Sequence, residues 1–347
     1  MLPTAGVWGI IHREGKRDVT EGQGSDVAAR SPKGLHRFAV FTTACTFVLL
    51  IAGALVTSND AGLSVSTWPF APNGILPRMV GGVLYEYSHR MIAGFVGLAT
   101  IVLAAWAWRR ESRAWVRWLA MAALLLVVAQ AGLGAANVLL YLPAPVTMAH
   151  SALAQLFFCT LVALCLFTGK WWQSDLEPLG EEGRPALRAV AGATAAVIFL
   201  QIILGAAFRG AAFRHNAVGV LPHVFGAGVV TAMVAWTAAI VFTRHGDVAP
   251  LRRAVKLLMA LLAAQLALGI AAYWAVLYQE QLPQPYPLPV VLTVAHVVNG
   301  ALVLAASVWL ALAAFRLFGP VPEWAMVPAA LKPRPGRGGQ TASVRPS

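Results

Sequence analysis

The sequence predicts an all-α integral membrane protein with eight transmembrane helices, arranged as two pseudo-symmetric four-helix bundles. Three observations lead to this fold class. Of the 347 residues, 59% are hydrophobic and only 12% are charged, about half the charged fraction of a typical soluble protein. Eight apolar segments are each long enough to cross a bilayer, which takes roughly 20 residues. The second half of the chain also repeats a pattern found in the first half.

The predicted transmembrane segments follow one another along most of the chain, with soft boundaries. They lie at 37–57, 83–108, 114–138, 146–168, 187–208, 217–243, 253–277 and 290–318. Such a chain is embedded in a lipid bilayer, because this much apolar surface cannot all be buried in a protein core.

The net charge of +12 is distributed in a way that indicates membrane orientation. Lys and Arg are concentrated in the two tails and in the second, fourth and sixth loops, whereas the other loops hold only Arg78, Arg209 and Arg214. Cytoplasmic loops retain positive charge, so both termini are predicted to be cytoplasmic. Because the charge alternates with the spans and forms no patch, the pattern excludes nucleic-acid binding. The short tails and the lack of a transit-type presequence favour a bacterial plasma membrane.

An internal repeat divides the chain into two halves. The third span contains Gln130-Ala-Gly-Leu-Gly134, the seventh contains Gln265-Leu-Ala-Leu-Gly269, and the fifth contains the similar Gln201-Ile-Ile-Leu-Gly205. The halves start on the same side, as parallel repeats do. The predicted units are a disordered cytoplasmic tail at 1–36, an N-terminal four-helix bundle at 37–168, a cytoplasmic linker at 169–186, a C-terminal bundle at 187–318 and a cytoplasmic tail at 319–347.

Four histidines are the main candidates for a functional site. His89, His150, His223 and His296 each lie in the first turns of an even-numbered span, so all four are expected at a similar depth near the outer face. Ionisable residues inside spans are costly and usually functional. The remaining histidines, His12, His36, His215 and His245, are expected in tails or loops.

The pairing of these histidines favours heme iron, which takes one or two axial ligands, most often His. Two histidines in each four-helix half predict one heme site per half, between facing helices. The residues four positions later are all small, which leaves room for a flat porphyrin; they are Ala93, Ala154, Ala227 and Gly300. Zinc or copper is less favoured, because no Cys or carboxylate cluster completes a tetrahedral ligand set.

Glu86 is the acidic residue that falls inside a predicted span, and it distinguishes the two halves. It lies three residues before His89 and four before Arg90, on the same helix face. One interpretation is an ion pair that anchors the helix end; the other is an acid–base group beside a bound heme. The corresponding stretch of the second half, 220–224, has neither Glu nor Arg. The asymmetry predicts a reacting heme in the N-terminal half and a redox heme in the C-terminal half.

These residues resemble the heme A synthase family over about 37–318. Its Glu-x-x-His-Arg motif is matched by Glu86 to Arg90. Its first outer loop is matched by Gly62-Leu63-Ser64, Trp68-Pro69, Gly74 and Pro77, and its later histidines by His150, His223 and His296. The chain departs from many members in having no cysteine pair after Trp68-Pro69, and Thr67 stands where an Asp is common.

The resemblance implies oxidation of the methyl group of heme O to a formyl group through hydroxylated intermediates. It implies that His89, His150 and Arg90 bind substrate heme O, that His223 and His296 ligate heme b, and that Glu86 is catalytic. It also implies heme O synthase and terminal-oxidase assembly factors as partners. The sequence does not decide the electron acceptor or whether the chain forms a homo-oligomer.

An alternative function is a di-heme membrane electron-transfer cytochrome, which would need no Glu86. A transporter is disfavoured, because the prolines cluster in loops and at span ends rather than at mid-membrane.

Overall fold

A computed structural model describes residues 31–72, 74, 77–174, 176, 179–181, 183–209, 217–278 and 287–318. Both predicted tails lie almost wholly outside the described residues, as do His12, His215 and Arg214. The described part of the chain is helical apart from its connecting segments, and its one β-bridge pairs Ala71 with Gly74.

The described residues form eight helices, each long and apolar enough to cross a membrane, which confirms the predicted fold class. They are α1 (Lys33–Ser58), α2 (Gly82–Arg110), α3 (Ala114–Leu139), α4 (Ala144–Thr168), α5 (Leu187–Phe208), α6 (Ala217–Arg244), α7 (Ala249–Tyr278) and α8 (Leu288–Leu317). The chain is therefore a multi-pass membrane protein.

Several helices extend beyond the predicted spans, because a helix can continue past the apolar region into the polar loops. α7 begins at Ala249 and includes Arg252, Arg253 and Lys256. α1 begins at Lys33, immediately after Pro32. This corrects one expectation: His36 lies in the first turn of α1 rather than in the tail, and its Nδ1 is 3.1 Å from Oγ1 of Thr168.

Consecutive helices run in opposite directions, which gives the bundle two distinct ends. At one end, Gly53 of α1 faces His89 of α2; at the other, Gly34 of α1 faces Trp106 of α2. We call the first the histidine end and the second the terminal end, where α1 begins and α8 stops. The described residues of the 59–81 loop, which connects α1 to α2, lie at the histidine end.

The helices of each half contact one another in the same order. α1 packs on α2 and α4, and α3 packs on α2 and α4; likewise α5 packs on α6 and α8, and α7 packs on α6 and α8. Contacts of α1 with α8, α4 with α5 and α4 with α8 join the halves. The core of the first half is built around Val96, Leu103 and Leu161, and that of the second around Val234, Leu258 and Leu304. The division into two pseudo-symmetric bundles stays a prediction.

Candidate functional site

All four candidate histidines lie in the first three turns of an even-numbered helix, at the histidine end. Each imidazole faces a glycine on the preceding odd-numbered helix. A Cβ added at Gly53 would lie 3.2 Å from Nε2 of His89, and one at Gly134 would lie 3.5 Å from Cε1 of His150. A Cβ added at Gly205 would lie 2.9 Å from Cε1 of His223, and one at Gly269 would lie 2.9 Å from Cε1 of His296. Four glycines thus provide the space that the four rings occupy.

In the C-terminal half, the rings of His223 and His296 face each other across the space between α6 and α8. Their centroids are 6.2 Å apart and their planes are inclined by 77°. A metal–imidazole bond is about 2.0–2.1 Å long and the centroid lies roughly 1.1 Å behind the bonding nitrogen, so two imidazoles on opposite sides of one ion have centroids roughly 6.3 Å apart. The observed separation therefore suits two axial ligands of one iron.

In the N-terminal half, His89 and His150 come close enough to interact electrostatically. Nδ1 of His150 is buried and has no hydrogen-bond partner among the described residues. An unpaired buried nitrogen costs free energy unless a ligand or water satisfies the ring. The two histidines that the sequence assigned to this half are therefore brought together by the fold.

The arrangement fits a heme better than a small metal centre. The described residues hold no group of three or more His, Cys, Asp or Glu side chains that could bind a metal ion. Histidines in pairs, each set against a glycine, match the two axial positions of a porphyrin iron. His89 with His150, and His223 with His296, are the residues that would hold such a group.

Glu86 and Arg90 are bound mainly to the loop of residues 59–81. Oε2 of Glu86 accepts a hydrogen bond of 2.8 Å from the Val65 amide, and its Oε1 is 2.5 Å from a guanidinium nitrogen of Arg90. Arg90 also donates to the carbonyls of Val65 at 2.9 Å and Thr67 at 2.5 Å. With 4% of its surface exposed, Glu86 lies under the loop, one turn before His89.

The sequence repeat contains three glutamines, Gln130, Gln201 and Gln265, to which sequence analysis assigned no role. Two of them contact histidines directly. Nε2 of Gln201 lies 3.0 Å from Nδ1 of His223, and Nε2 of Gln265 lies 3.2 Å from Nδ1 of His296. The signal that could have revealed them is the Gln-x-x-x-Gly spacing, which puts amide and glycine on one helix face. Gly300, expected to leave room for a porphyrin, lies beside Gln265, whose Nε2 would be 3.3 Å from an added Cβ.

Comparison with known proteins finds sequence similarity to heme A synthases. The sequence model of a family described as COX15-CtaA, cytochrome oxidase assembly protein, matches residues 81–215. The heme A synthase of Shouchella clausii is 33% identical over 135 residues, 38% of this chain and 45% of that protein. The heme A synthase of Symbiobacterium thermophilum is 29% identical over 264 residues, 68% of this chain and 85% of that protein. The chain is therefore similar to heme A synthases.

These matches confirm the resemblance to heme A synthases read from the motifs. The family match includes Glu86, His89 and His150 and ends before His223. A further heme A synthase, from Lysinibacillus sphaericus, is 38% identical over 108 residues, 30% of this chain and 35% of that protein. The chain thus spans less than half the length of several of the curated relatives it matches.

Proposed function

We propose that the chain is a heme A synthase, an oxidoreductase that converts the methyl group of heme O to a formyl group. The observation that carries this proposal is a difference between the two paired-histidine sites. A buried Glu86 precedes His89 in one half, whereas the helix turns that precede His223 and His296 in the other half hold no acid. Similarity to heme A synthases supplies the reaction class.

The net reaction consumes one water and releases four electrons and four protons as the methyl carbon becomes a formyl carbon. It passes through the hydroxymethyl compound, which is oxidised once more to the hydrated formyl group and then loses water. Heme b, when bound, supplies a one-electron acceptor for these oxidations. His223 and His296 are its proposed ligands.

His89 and His150 are the proposed ligands of substrate heme O, and Glu86 is the proposed catalytic residue. An ionised carboxylate can accept about four hydrogen bonds, and two are seen on Glu86, from Val65 and Arg90. Lone pairs therefore remain to take a proton from the substrate carbon or to stabilise positive charge there. Arg90 is proposed to hold both Glu86 and the loop above the substrate heme.

The test is to express the full chain together with a heme O synthase in a host that lacks heme A, then extract and chromatograph the hemes. Heme A or its hydroxylated precursor is the expected product. If the folded, heme-loaded protein yields only heme B and heme O, the proposal is wrong.

Variants of Glu86 test its role in the same host. Glu86→Gln keeps the size and one acceptor oxygen but loses the charge, so the protein should bind heme and turn over at least about 100-fold more slowly, as expected for a lost acid–base group. Full activity in Glu86→Gln would contradict the catalytic role. The exposed Asp247→Asn is the matched control for removing a carboxylate.

The alternative is a di-heme electron-transfer cytochrome, and one observation favours it. Within the part of the chain that the structure describes, the side chains of Glu86 and Arg90 form hydrogen bonds with each other and with the loop, as in a purely structural anchor. In that case both sites should retain heme b on purification and no heme A should form. The co-expression experiment therefore separates the two functions.

The proposed setting is a bacterial plasma membrane with both termini cytoplasmic and the heme sites near the outer face. Heme O synthase and terminal-oxidase assembly factors are the proposed partners. The supporting observation is the charge pattern, since Arg109, Arg110, Arg113 and Arg117 meet at the terminal end. Reporter fusions after Arg110 and after Tyr141 should report cytoplasmic and outer locations, respectively; the reverse result would overturn the orientation.

A further inference from the structure

The C-terminal half supports each of its histidines with a glutamine from the preceding helix. Gln201 of α5 lies one turn before Gly205, and its Nε2 contacts both Nδ1 of His223, at 3.0 Å, and the His223 carbonyl, at 2.7 Å. Its Oε1 is buried and unpartnered, and it lies against Gly226, where an added Cβ would be 2.1 Å away. The amide thus offers a donor and a spare acceptor next to the ring.

Gln265 of α7 does the same for His296 and is itself held in place. Its Nε2 lies 3.2 Å from Nδ1 and 3.3 Å from Nε2 of the ring. Its Oε1 accepts a 2.8 Å hydrogen bond from Asn299, which also donates to the Leu261 carbonyl at 2.9 Å. A chain of hydrogen bonds through Asn299 therefore links the α7 backbone to the amide that lies beside the imidazole.

The N-terminal half supplies a glutamine for one histidine only. Gln130 of α3 lies one turn before Gly134, which faces His150. Its buried Oε1 has no partner, and neither has Nδ1 of His150. These are an acceptor and a potential donor on adjacent helices, and they can pair once the ring is protonated on Nδ1.

At His89 the pattern is broken. The position one turn before Gly53 is Leu49, an apolar residue that packs against the first-half core. The ring is also turned differently: its Nε2, rather than its Cε1, lies nearest to Gly53. Among the interactions seen for His89 within the described residues there is no hydrogen bond to its ring.

The difference matters because a histidine that binds iron through Nε2 carries its proton on Nδ1. Hydrogen-bond partners at the second nitrogen fix the tautomer and the ring orientation, and losing them typically costs about 10- to 100-fold in metal affinity. His223 and His296 each have a side-chain amide next to Nδ1. Its NH2 group lies nearest to the ring here, so the iron-bound tautomer requires the amide to turn and accept the Nδ1 proton through Oε1. His150 has an amide oxygen within reach, and His89 has no amide of this kind.

We propose that Gln201 and Gln265 are positioning residues that make the C-terminal half retain its heme. In the N-terminal half, Leu49 provides no such support, so His89 is the weaker iron ligand and this half exchanges its heme. This rests on the proposed function, because it takes the four histidines as heme ligands. An enzyme that keeps a redox heme while it takes up heme O and releases heme A needs this difference. The side chains that contact the histidines supply it.

The test measures heme loss rather than turnover. The purified full-length protein, loaded with heme b in both sites, is mixed with excess apomyoglobin as a heme acceptor, and transfer is followed by absorbance. Two phases are expected, and the fast one should disappear in His89→Ala. Leu49→Gln should slow the fast phase about tenfold, and Gln265→Leu or Gln201→Leu should speed the slow phase about tenfold or more.

Matched controls separate positioning from packing. Leu49→Met keeps the site apolar and should leave the fast phase unchanged. Gln155→Leu removes another buried glutamine, whose Oε1 is also unpartnered, and should leave the slow phase unchanged. Gln201→Glu has the acceptor oxygen that Gln201→Leu lacks, so it should lose heme as slowly as the wild type. Gln201→Leu should also raise the midpoint potential of the C-terminal heme and change its low-spin electron paramagnetic resonance signal.

The outcomes distinguish this inference from the proposed function. If the wild-type protein binds no heme with a bis-histidine spectrum, the ligand assignment itself fails. If it binds two hemes but Gln201→Leu and Gln265→Leu leave the slow phase and its spectrum unchanged, the positioning role is wrong while the ligand assignment stands. Those two variants decide the matter even where Leu49→Gln does not accumulate in the membrane.

Discussion

Glu86 and Arg90 combine the two interpretations that the sequence left open. The pair anchors the first loop, through the Val65 amide and the carbonyls of Val65 and Thr67, and it lies one turn from His89. An anchoring carboxylate and a catalytic one are compatible here, because loop and proposed substrate share the histidine end. The anchoring part can be tested on its own.

Arg90→Gln should release the loop without removing Glu86. The side chains of Arg90 and Glu86 are only 12% and 5% exposed, so loss of the arginine leaves a buried carboxylate without its ion pair, at a cost of about 3 kcal/mol. Limited proteolysis of membrane vesicles should then cleave within residues 61–72 faster than in wild type. Arg78→Gln, an exposed arginine of the same loop, is the control, and equal cleavage in both variants would contradict the anchoring role.

Glu111 provides a second prediction, at the terminal end. Burial raises the pKa of Glu111, but hydrogen bonds from Arg113 and Ser31 outweigh it and hold the pKa below its usual 4.5. Arg113 is 2.9 Å from Oε1 of Glu111 and also donates to the Phe167 carbonyl at 3.0 Å. A lowered folded-state pKa means that the stabilisation is complete well above pH 4.5 and is lost as the pH falls through the folded-state value.

Glu111→Gln should therefore lower the free energy of unfolding by about 2 kcal/mol at pH 7, and the deficit should shrink as the pH falls below 4.5. Thermal unfolding in detergent at several pH values measures this. The exposed Asp247→Asn should change stability by less than about 0.5 kcal/mol at pH 7. A deficit that stays constant from pH 7 to pH 3 would show that the charge of Glu111 is not the cause.

At the scale of the helices, the repeated unit is a glycine on an odd-numbered helix set against a histidine on the next. Among the four glycines that face histidines, Gly205 and Gly269 have the shortest distance, 2.9 Å, from an added Cβ to the imidazole. A methyl group there must displace the ring or separate the helices. Gly228 of α6 has nothing within 4 Å of its Cβ position. The side chain packed opposite a glycine thus decides whether that glycine tolerates a methyl group.

Gly269→Ala should lower the heme content of the purified protein, because its new methyl group displaces His296 from its position opposite His223. Gly228→Ala should leave the heme content unchanged and stabilise α6 slightly, since alanine is a better helix former by roughly 1 kcal/mol. Heme per protein, measured as the pyridine hemochrome, checks both. Equal heme content in the two variants would contradict the role given to the glycine–histidine contact.

For the whole molecule, the segment that joins the halves also holds the end of α8. Arg316 donates to the carbonyls of Trp172 and Ser174, at 3.3 and 2.7 Å, and the Leu179 amide donates to the Leu317 carbonyl at 2.8 Å. At the histidine end, Arg209 donates to Ser58 at 3.0 Å. Both ends of the interface are thus fixed by polar contacts, with helix packing between them.

A chain cut between Gly180 and Glu181 should therefore reassemble. When the fragments 1–180 and 181–347 are co-expressed with a tag on one, we expect the other to copurify, because α1, α4, α5 and α8 pack across the interface within the membrane. If the tagged fragment is purified without the other, the covalent link between the halves is needed for assembly. Adding Arg316→Ala to the split chain should weaken copurification.

Some features followed from the sequence alone. Eight spans were predictable because a bilayer requires a fixed length of apolar residues, and the pairing of His89, His150, His223 and His296 followed from their position in even-numbered spans. These are one-dimensional features: apolar length and spacing along a helix need no knowledge of neighbours.

The tertiary structure decided the rest. That Gln201 and Gln265 face histidines, that Leu49 leaves His89 without such a partner, and that Glu86 binds the Val65 amide all depend on how neighbouring helices and the loop meet. In helices made largely of Ala, Leu and Gly, the sequence alone leaves the rotation of each helix about its axis undetermined. Only packing fixes that rotation, and the rotation determines which polar side chain contacts each imidazole.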